Sequence, residues 1–317
     1  MIRILIPLDG SVAAEEALNH ALLIARAFPA ELILLRVIGE STDGASIRMD
    51  SVDLALWRHQ AQTYLESLAA KHTAAGQLFR CEVAEGNFAE TIVQFMLRVK
   101  PDLLALTRYG RGNAQSFAAG GTAQKVVSRA NCSVLLLDPR KPVDCNQTYQ
   151  RIMVPISEGK DSDCAVAIAT MIAEVHAASL LLLHVIKEPH LPQGFPATVH
   201  ARQLVNEMLQ ISRYEANRRL QELAATVPKS IAVETRVLVS AEMSVAIEST
   251  AEDYDCDLLV LHTAGNGAQN GHRYGPVNQS LIQYSHRPLF ILQPTAGEGL
   301  ASNFRSVYID EQCREAG

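Results

Sequence analysis

The residues best suited to hold a ligand are three glycines and a threonine between two apolar runs. Leu103–Leu106 comes before them and Val134–Leu137 after, and Gly110, Gly120, Gly121 and Thr122 lie between. A helical pattern starts at the last of these. Glycines let the backbone turn with its N–H groups pointing inward, and a helix start adds unpaired N–H groups and a positive dipole end. Strand, glycine loop, helix and strand in that order can cradle the phosphates of a nucleotide. The same glycines read equally well as simple turns. Arg108 and Arg111 flank Gly110; either can meet a phosphate as a charged donor or merely face solvent.

The pattern returns later in the chain. Leu258–Leu261 is followed by His262, Gly265 and Gly275, then by a helical run and the apolar Leu289–Leu292. The interval from Gly110 to Gly120 equals that from Gly265 to Gly275, which predicts two related halves. The openings of the halves agree as well: Arg3–Asp9 reads RILIPLD and Arg151–Ser157 reads RIMVPIS. Asp9 follows the first apolar run, at the strand end where open parallel sheets bind ligands. Its carboxylate can brace the turn, or accept hydrogen bonds from a ribose or a base amine. Ser157 takes its place in the second half.

Other chemistries find no support. There is no CxxC, HxH, HExxH, GxSxG or GxxxxGK[ST] pattern, so neither a metal centre nor an activated nucleophile is expected. Seven of the ten histidines lie in the second half without ligand spacing. With 28 basic against 34 acidic residues, a general nucleic-acid binder is not expected. The six cysteines are scattered, as suits reduced thiols in a cytoplasmic protein; Cys132 and Cys256 read as core residues. No leader is expected at Met1–Leu8, and every apolar run is strand length, so no membrane span is expected.

The elements that would position these residues alternate between strand and helix. The run Ile2–Leu8 reads as a strand covered on both faces. Ser11 then caps a helix to Ala27, and Glu31–Val37 is the next strand. A long helix follows from Ser51 to His72, with Trp57 expected to pack. Leu78–Val83 is a strand, and Gly86–Asn87 opens another helix. The second half repeats this order, with an acidic loop at Glu158–Asp163 and a long helix from His200 to Ala225. The boundaries read as a first domain over residues 1–138, a linker over 139–149, a second domain over 150–294 and a tail over 295–317.

The opening Ile4–Leu5–Ile6–Pro7–Leu8–Asp9–Gly10–Ser11 and the twice-used loop resemble the universal stress protein family, here in tandem. The family's loop is Gly-x2-Gly-x9-Gly-(Ser/Thr), and the resemblance covers nearly the whole chain. It implies an α/β fold with two repeated open parallel five-stranded sheets. Each has order 3-2-1-4-5 with helices on both faces, in the adenine-nucleotide hydrolase-like class. It implies an ATP site in the first half. Asp9 matches the acid on the ribose or adenine side, and Val37 the residue whose backbone meets adenine. Gly110 and Gly120 match the second and third motif glycines. With Gly121, Thr122 and the charged donor Arg111 they are the candidate phosphate loop, and magnesium stays open as the nucleotide's companion. Thr107 stands where the first motif glycine belongs, and Gly121 where the Ser/Thr belongs, with Thr122 beside it. In the second half Ser157 replaces the acid, His262 the first glycine and Pro276 the Ser/Thr, so that half is expected to bind ATP far less well.

The implied role is a nucleotide-dependent regulator or scaffold in a stress response. A non-binding interaction protein and a weak ATP hydrolase stay open as alternatives. Val134–Leu137 and Leu289–Leu292 are short, apolar and uncharged, and are expected to pair antiparallel within the chain. A further homodimer stays open.

Overall fold

The structure is a computed structural model that describes residues 1–39, 51–72, 76–109, 121–140, 145–157, 162–189, 199–263 and 274–293. It divides into two compact units, Met1–Gln147 with Pro288–Gly317, and Thr148–Arg287. The first runs β1 (Ile2–Pro7), α1 (Val12–Ala27), β2 (Ala30–Ile38), α2 (Ser51–His72), β3 (Leu78–Glu85), α3 (Phe88–Val99), β4 (Leu103–Thr107), α4 (Thr122–Arg129) and β5 (Ser133–Leu137). The second runs β6 (Arg151–Pro155), α5 (Ser162–His176), β7 (Ser179–Lys187), α6 (Val199–Ala225), β8 (Val233–Ser240), α7 (Met243–Asp253), β9 (Leu258–His262) and α8 (Pro276–Tyr284). The last strand, β10 (Leu289–Leu292), counts with the first unit.

The strand order in the first unit is β3-β2-β1-β4-β5-β10 and in the second β9-β6-β7-β8. The expected 3-2-1-4-5 order is therefore complete in the first. The pairs β1/β2, β1/β4, β2/β3 and β4/β5 are parallel, as are β6/β7, β6/β9 and β7/β8. β10 runs against its partner in the first unit. It pairs with β5 in the register Leu289↔Leu136, Phe290↔Leu135 and Ile291↔Val134, the pairing expected of those two runs.

The core follows from the apolar runs. Every residue of β4 and β5 is buried, and a fully buried Leu or Val contributes about 1.5–3 kcal/mol. The outer strands differ. In β3 and β8 every residue is exposed or half-buried, and each carries a local ion pair, Arg80–Glu82 and Arg236–Glu234. Charge on a free edge discourages pairing with another chain. Helix starts follow local chemistry. Ser11 caps α1 by accepting from Ala14 N–H, and Asn87 caps α3 by accepting from Glu90 N–H. Trp57 does not pack as expected and stands 44% exposed on α2. Among the described residues no helix is long and apolar enough to cross a membrane.

A clasp at the amino ends of the central strands occurs in both units. Arg3 N–H donates to Asp102 Oδ2 at 2.8 Å, and its Nη1 donates to Val99 O at 2.6 Å. In the second unit Arg151 N–H donates to Asp257 Oδ1 at 3.3 Å, Gln150 N–H to Asp257 Oδ2 at 2.6 Å, and Arg151 Nη1 to Tyr254 O at 3.0 Å. Lys100 and Asp255, which precede the fourth strand of each unit, both adopt positive φ, at 50° and 48°.

Candidate functional site

The chain order reverses direction at β1, which lies between β2 and β4. Open α/β sheets bind ligands beyond the carboxyl ends of the strands at such a switch point. Asp9 follows β1 here. Its Oδ1 accepts both the Ser11 N–H at 2.9 Å and the Ser11 hydroxyl at 2.5 Å. Ser11 Oγ in turn accepts from Ala14 N–H at 3.1 Å. Asp9 thus braces the turn into α1 through one oxygen, and the turn fixes its carboxylate at the strand end. Gly10 takes φ 77° within that turn.

One strand over, Val37 is buried in β2 and stands opposite Ala84 of β3. The chain leaves these two strands through a close approach. A Cβ on Gly39 would lie 2.3 Å from the Gly86 carbonyl oxygen, with φ at +156°. Gly86 N–H donates to Ile38 O at 3.0 Å, and a Cβ on Gly86, whose φ is +132°, would meet Thr91 Oγ1 at 2.7 Å. Only glycine satisfies both positions without displacement. They hold the backbone beside Val37, and no sequence motif announced them.

Three further polar side chains gather at this edge. Arg36 of β2 donates through Nη1 to Leu8 O at 3.1 Å. Tyr64 of α2 donates its hydroxyl to Glu15 Oε1 of α1 at 3.0 Å. Burial first, then Glu15, holds the Tyr64 phenol well above its ordinary range. It is therefore a hydrogen-bond donor at any physiological pH. Glu15 could have been read as a helix-start acid alone; its partner lies 49 positions away.

On the other side of β1, Thr107 ends β4 and is buried, and its hydroxyl donates to Tyr109 O at 2.8 Å. The residue that departs from the family's first glycine therefore closes a local turn. Gly121 is the N-cap of α4, with no side-chain cap bond, and Thr122 is the exposed first residue of the helix. Helix starts of this kind offer backbone N–H donors to an anion. Gly110, Arg111 and Gly120 lie outside the described residues.

The second unit repeats the backbone and changes the side chains. Ile156 N–H donates to Leu183 O as Leu8 N–H does to Leu35 O, so His184 holds the place of Arg36. Ser157 follows β6, and its N–H and hydroxyl both meet Ser162 Oγ, at 3.0 and 3.1 Å. Lys187 and Ser240 form an ordinary ladder pair where the first unit has Gly39 and Gly86. Gly275 caps α8 and Pro276 follows it, removing one N–H from the helix start. Asn278 Nδ2 donates to His262 O at 3.1 Å and ties that helix to the end of β9. Among the described residues no group of three or more His, Cys, Asp or Glu could hold a metal ion.

Two stretches, residues 1–138 and 148–293, match the Universal stress protein family. A universal stress protein of Methanocaldococcus jannaschii is 30% identical over 142 residues, covering 44% of this chain and 82% of the relative. The crystal structure of a universal stress protein from Archaeoglobus fulgidus superposes with a TM-score of 0.67 at 17% identity, over 93% of this chain and 97% of that one. A putative universal stress protein from Pseudomonas aeruginosa does so with a TM-score of 0.66 at 17% identity, over 97% of each chain. At these identities the two structures speak for the fold.

Proposed function

The chain belongs to the universal stress protein family, and from that premise we propose that its first unit binds an adenine nucleotide, ATP, and acts as a nucleotide-dependent regulator or scaffold in a stress response. The observation that carries this reading is Asp9, fixed by Ser11 at the switch point beside β4. The loop after β4 leads into α4, whose start has no side-chain cap.

In this reading the Asp9 carboxylate accepts hydrogen bonds from the ribose hydroxyls or the adenine amine. The backbone at Val37 meets the adenine edge, with Gly39 and Gly86 shaping the strand ends beside it. The N–H groups at Gly121 and Thr122, with the Thr122 hydroxyl, receive phosphate oxygens. Gly110, Arg111 and Gly120 complete that loop, and Arg111 supplies positive charge. A magnesium ion would accompany the phosphates and neutralise part of their charge. Asp9 is suited to binding rather than to proton abstraction, because one of its oxygens already takes two bonds from Ser11. The first domain over 1–138 is then the nucleotide module, and the second over 150–294 a degenerate copy. The protein would work in the cytoplasm, with the nucleotide as its small-molecule partner.

Calorimetric titration of the full-length protein with ATP tests the reading. Saturable heat below millimolar ATP is expected. Absence of heat at millimolar ATP, from protein whose circular dichroism shows it folded, would refute nucleotide binding and leave the interaction-protein reading in its place.

A further inference from the structure

A second chemically capable cluster lies in the first unit, away from the carboxyl edge. Cys145 Sγ stands 3.8 Å from His72 Nδ1, and both residues are partly exposed. His72 is the last residue of α2, where the negative end of the helix dipole stabilises the positive charge an imidazole gains on taking up a proton. Arg26, in the last turn of α1, donates through Nη2 to Cys145 O and through Nη1 to Gln147 O at 2.9 Å. The thiol therefore faces an imidazole, on a partly exposed residue whose carbonyl accepts from a guanidinium. This is the electropositive, partly exposed setting in which a cysteine becomes a nucleophile.

Other cysteines of the chain stand in different settings. Cys132 and Cys256 are buried. Burial pushes the Cys256 thiol up to about 12. Burial, and then Glu66, also raise the thiol of half-exposed Cys81.

We propose that Cys145 is a peroxide-reactive thiol for which His72 is the base. The imidazole takes the thiol proton, and the thiolate attacks one oxygen of hydrogen peroxide. An S–O bond forms as the O–O bond breaks. Sulfur gives up two electrons and the peroxide gains them. The departing hydroxide takes the proton back from His72 and leaves as water. The product is a sulfenic acid at Cys145, with the imidazole restored. One external thiol condenses with it to a mixed disulfide and water, and a second thiol displaces Cys145 as the free thiol while the two external sulfurs leave as a disulfide. The site is independent of any nucleotide.

The test exposes the full-length protein to hydrogen peroxide in the presence of a cyclic 1,3-diketone, which traps sulfenic acids. Each cysteine-containing peptide is then followed over time by mass spectrometry. Cys145 is expected to be trapped at least about tenfold faster than Cys81. His72→Gln is expected to slow Cys145 by about tenfold or more and leave Cys81 unchanged. A Cys145 rate no greater than that of Cys81, measured in the unaltered protein, overturns the proposal whatever the variant does. A fast Cys145 that is indifferent to His72→Gln overturns the role of the imidazole.

Discussion

Asp9 follows β1 and Ser157 follows β6; one strand over, Arg36 of β2 corresponds to His184 of β7. Between the flanking helices Glu15 receives the Tyr64 hydroxyl in the first unit, whereas Asp163 is ion-paired with Arg219 in the second. Two copies of one backbone plan thus carry different chemistry at the same edge. The shared parts are the buried strands and the Arg–Asp clasps, which stability demands of both. The divergent parts are the strand-end side chains, which stability leaves free. The difference teaches that the fold needs the strands but not the acid: Ser157 bonds to Ser162 and holds its turn without a charge. An acid retained in only one copy is therefore better explained by a ligand than by the fold.

The largest expected effect is on binding. Asp9→Ala should weaken ATP affinity by about tenfold or more, since hydrogen bonds to a charged group contribute roughly 1.5–3 kcal/mol. Ser157→Ala should change it less than about twofold. Calorimetry on the two full-length variants measures both. Equal losses would erase the distinction between the units.

Next in size is the strand-end geometry that only the first unit has. Gly39→Val forces a side chain against the Gly86 carbonyl, at a cost of about 1–3 kcal/mol. Amide exchange in β2 and β3 should accelerate accordingly, with β7 and β8 unchanged. Lys187→Val, at the matching position, should shift exchange little, because that pair is regular ladder.

Much of this plan was legible from local signals. The apolar runs located the central strands, and Ser11 and Asn87 announced two helix starts through side chains that bond only three residues ahead. Tyr64 with Glu15, Arg36 with Leu8 and Gly39 with Gly86 were not legible. Each joins residues 28 or more positions apart, or depends on backbone geometry that no side chain encodes. Trp57 misled for a related reason. Its apolar ring suggests a core, and Ala61, Leu65 and Leu68 on the same face of α2 are buried, yet residues 55–60 precede that buried stretch and are exposed all round.

A third contrast is in pH response. Burial lowers the His20 imidazole in α1 from 6.5 to about 4; the matching helix position in the second unit holds the buried Ile168. The unfolded chain accepts a proton that the folded chain refuses. The His20 contribution is therefore whole above about pH 6.5 and is lost as pH falls toward 4. Asp257 in the second unit behaves oppositely. Burial raises its carboxyl from 3.8 to about 6, although backbone N–H groups of Gln150 and Arg151 pull it down. The folded form holds this proton more tightly, so stability is greatest below about pH 3.8 and declines as pH rises through 6. Moving from pH 7 to pH 5 should weaken the first unit by about 2 kcal/mol through His20 and strengthen the second by about 1 kcal/mol through Asp257. Amide exchange resolved between α1 and β6 measures the divergence, and His20→Gln should flatten the first arm alone.

The smallest expected effect concerns the cap of α8. A side chain at Gly275 meets nothing within 4 Å, and the helix lacks a side-chain cap bond. Gly275→Ser should stabilise the second unit by a few tenths of a kcal/mol, seen as slightly slower exchange in α8. It should leave ATP affinity untouched.

The central claim, a nucleotide site in one copy and not in the other, is tested most directly by amide exchange of the full-length protein with and without saturating ATP. Slower exchange should appear at Leu8–Ser11, at Val37–Gly39 and in the first turn of α4, with no change at Ile156–Ser157, at Lys187 or in the first turn of α8. Equal protection of both sets, or protection confined to the second, would contradict it.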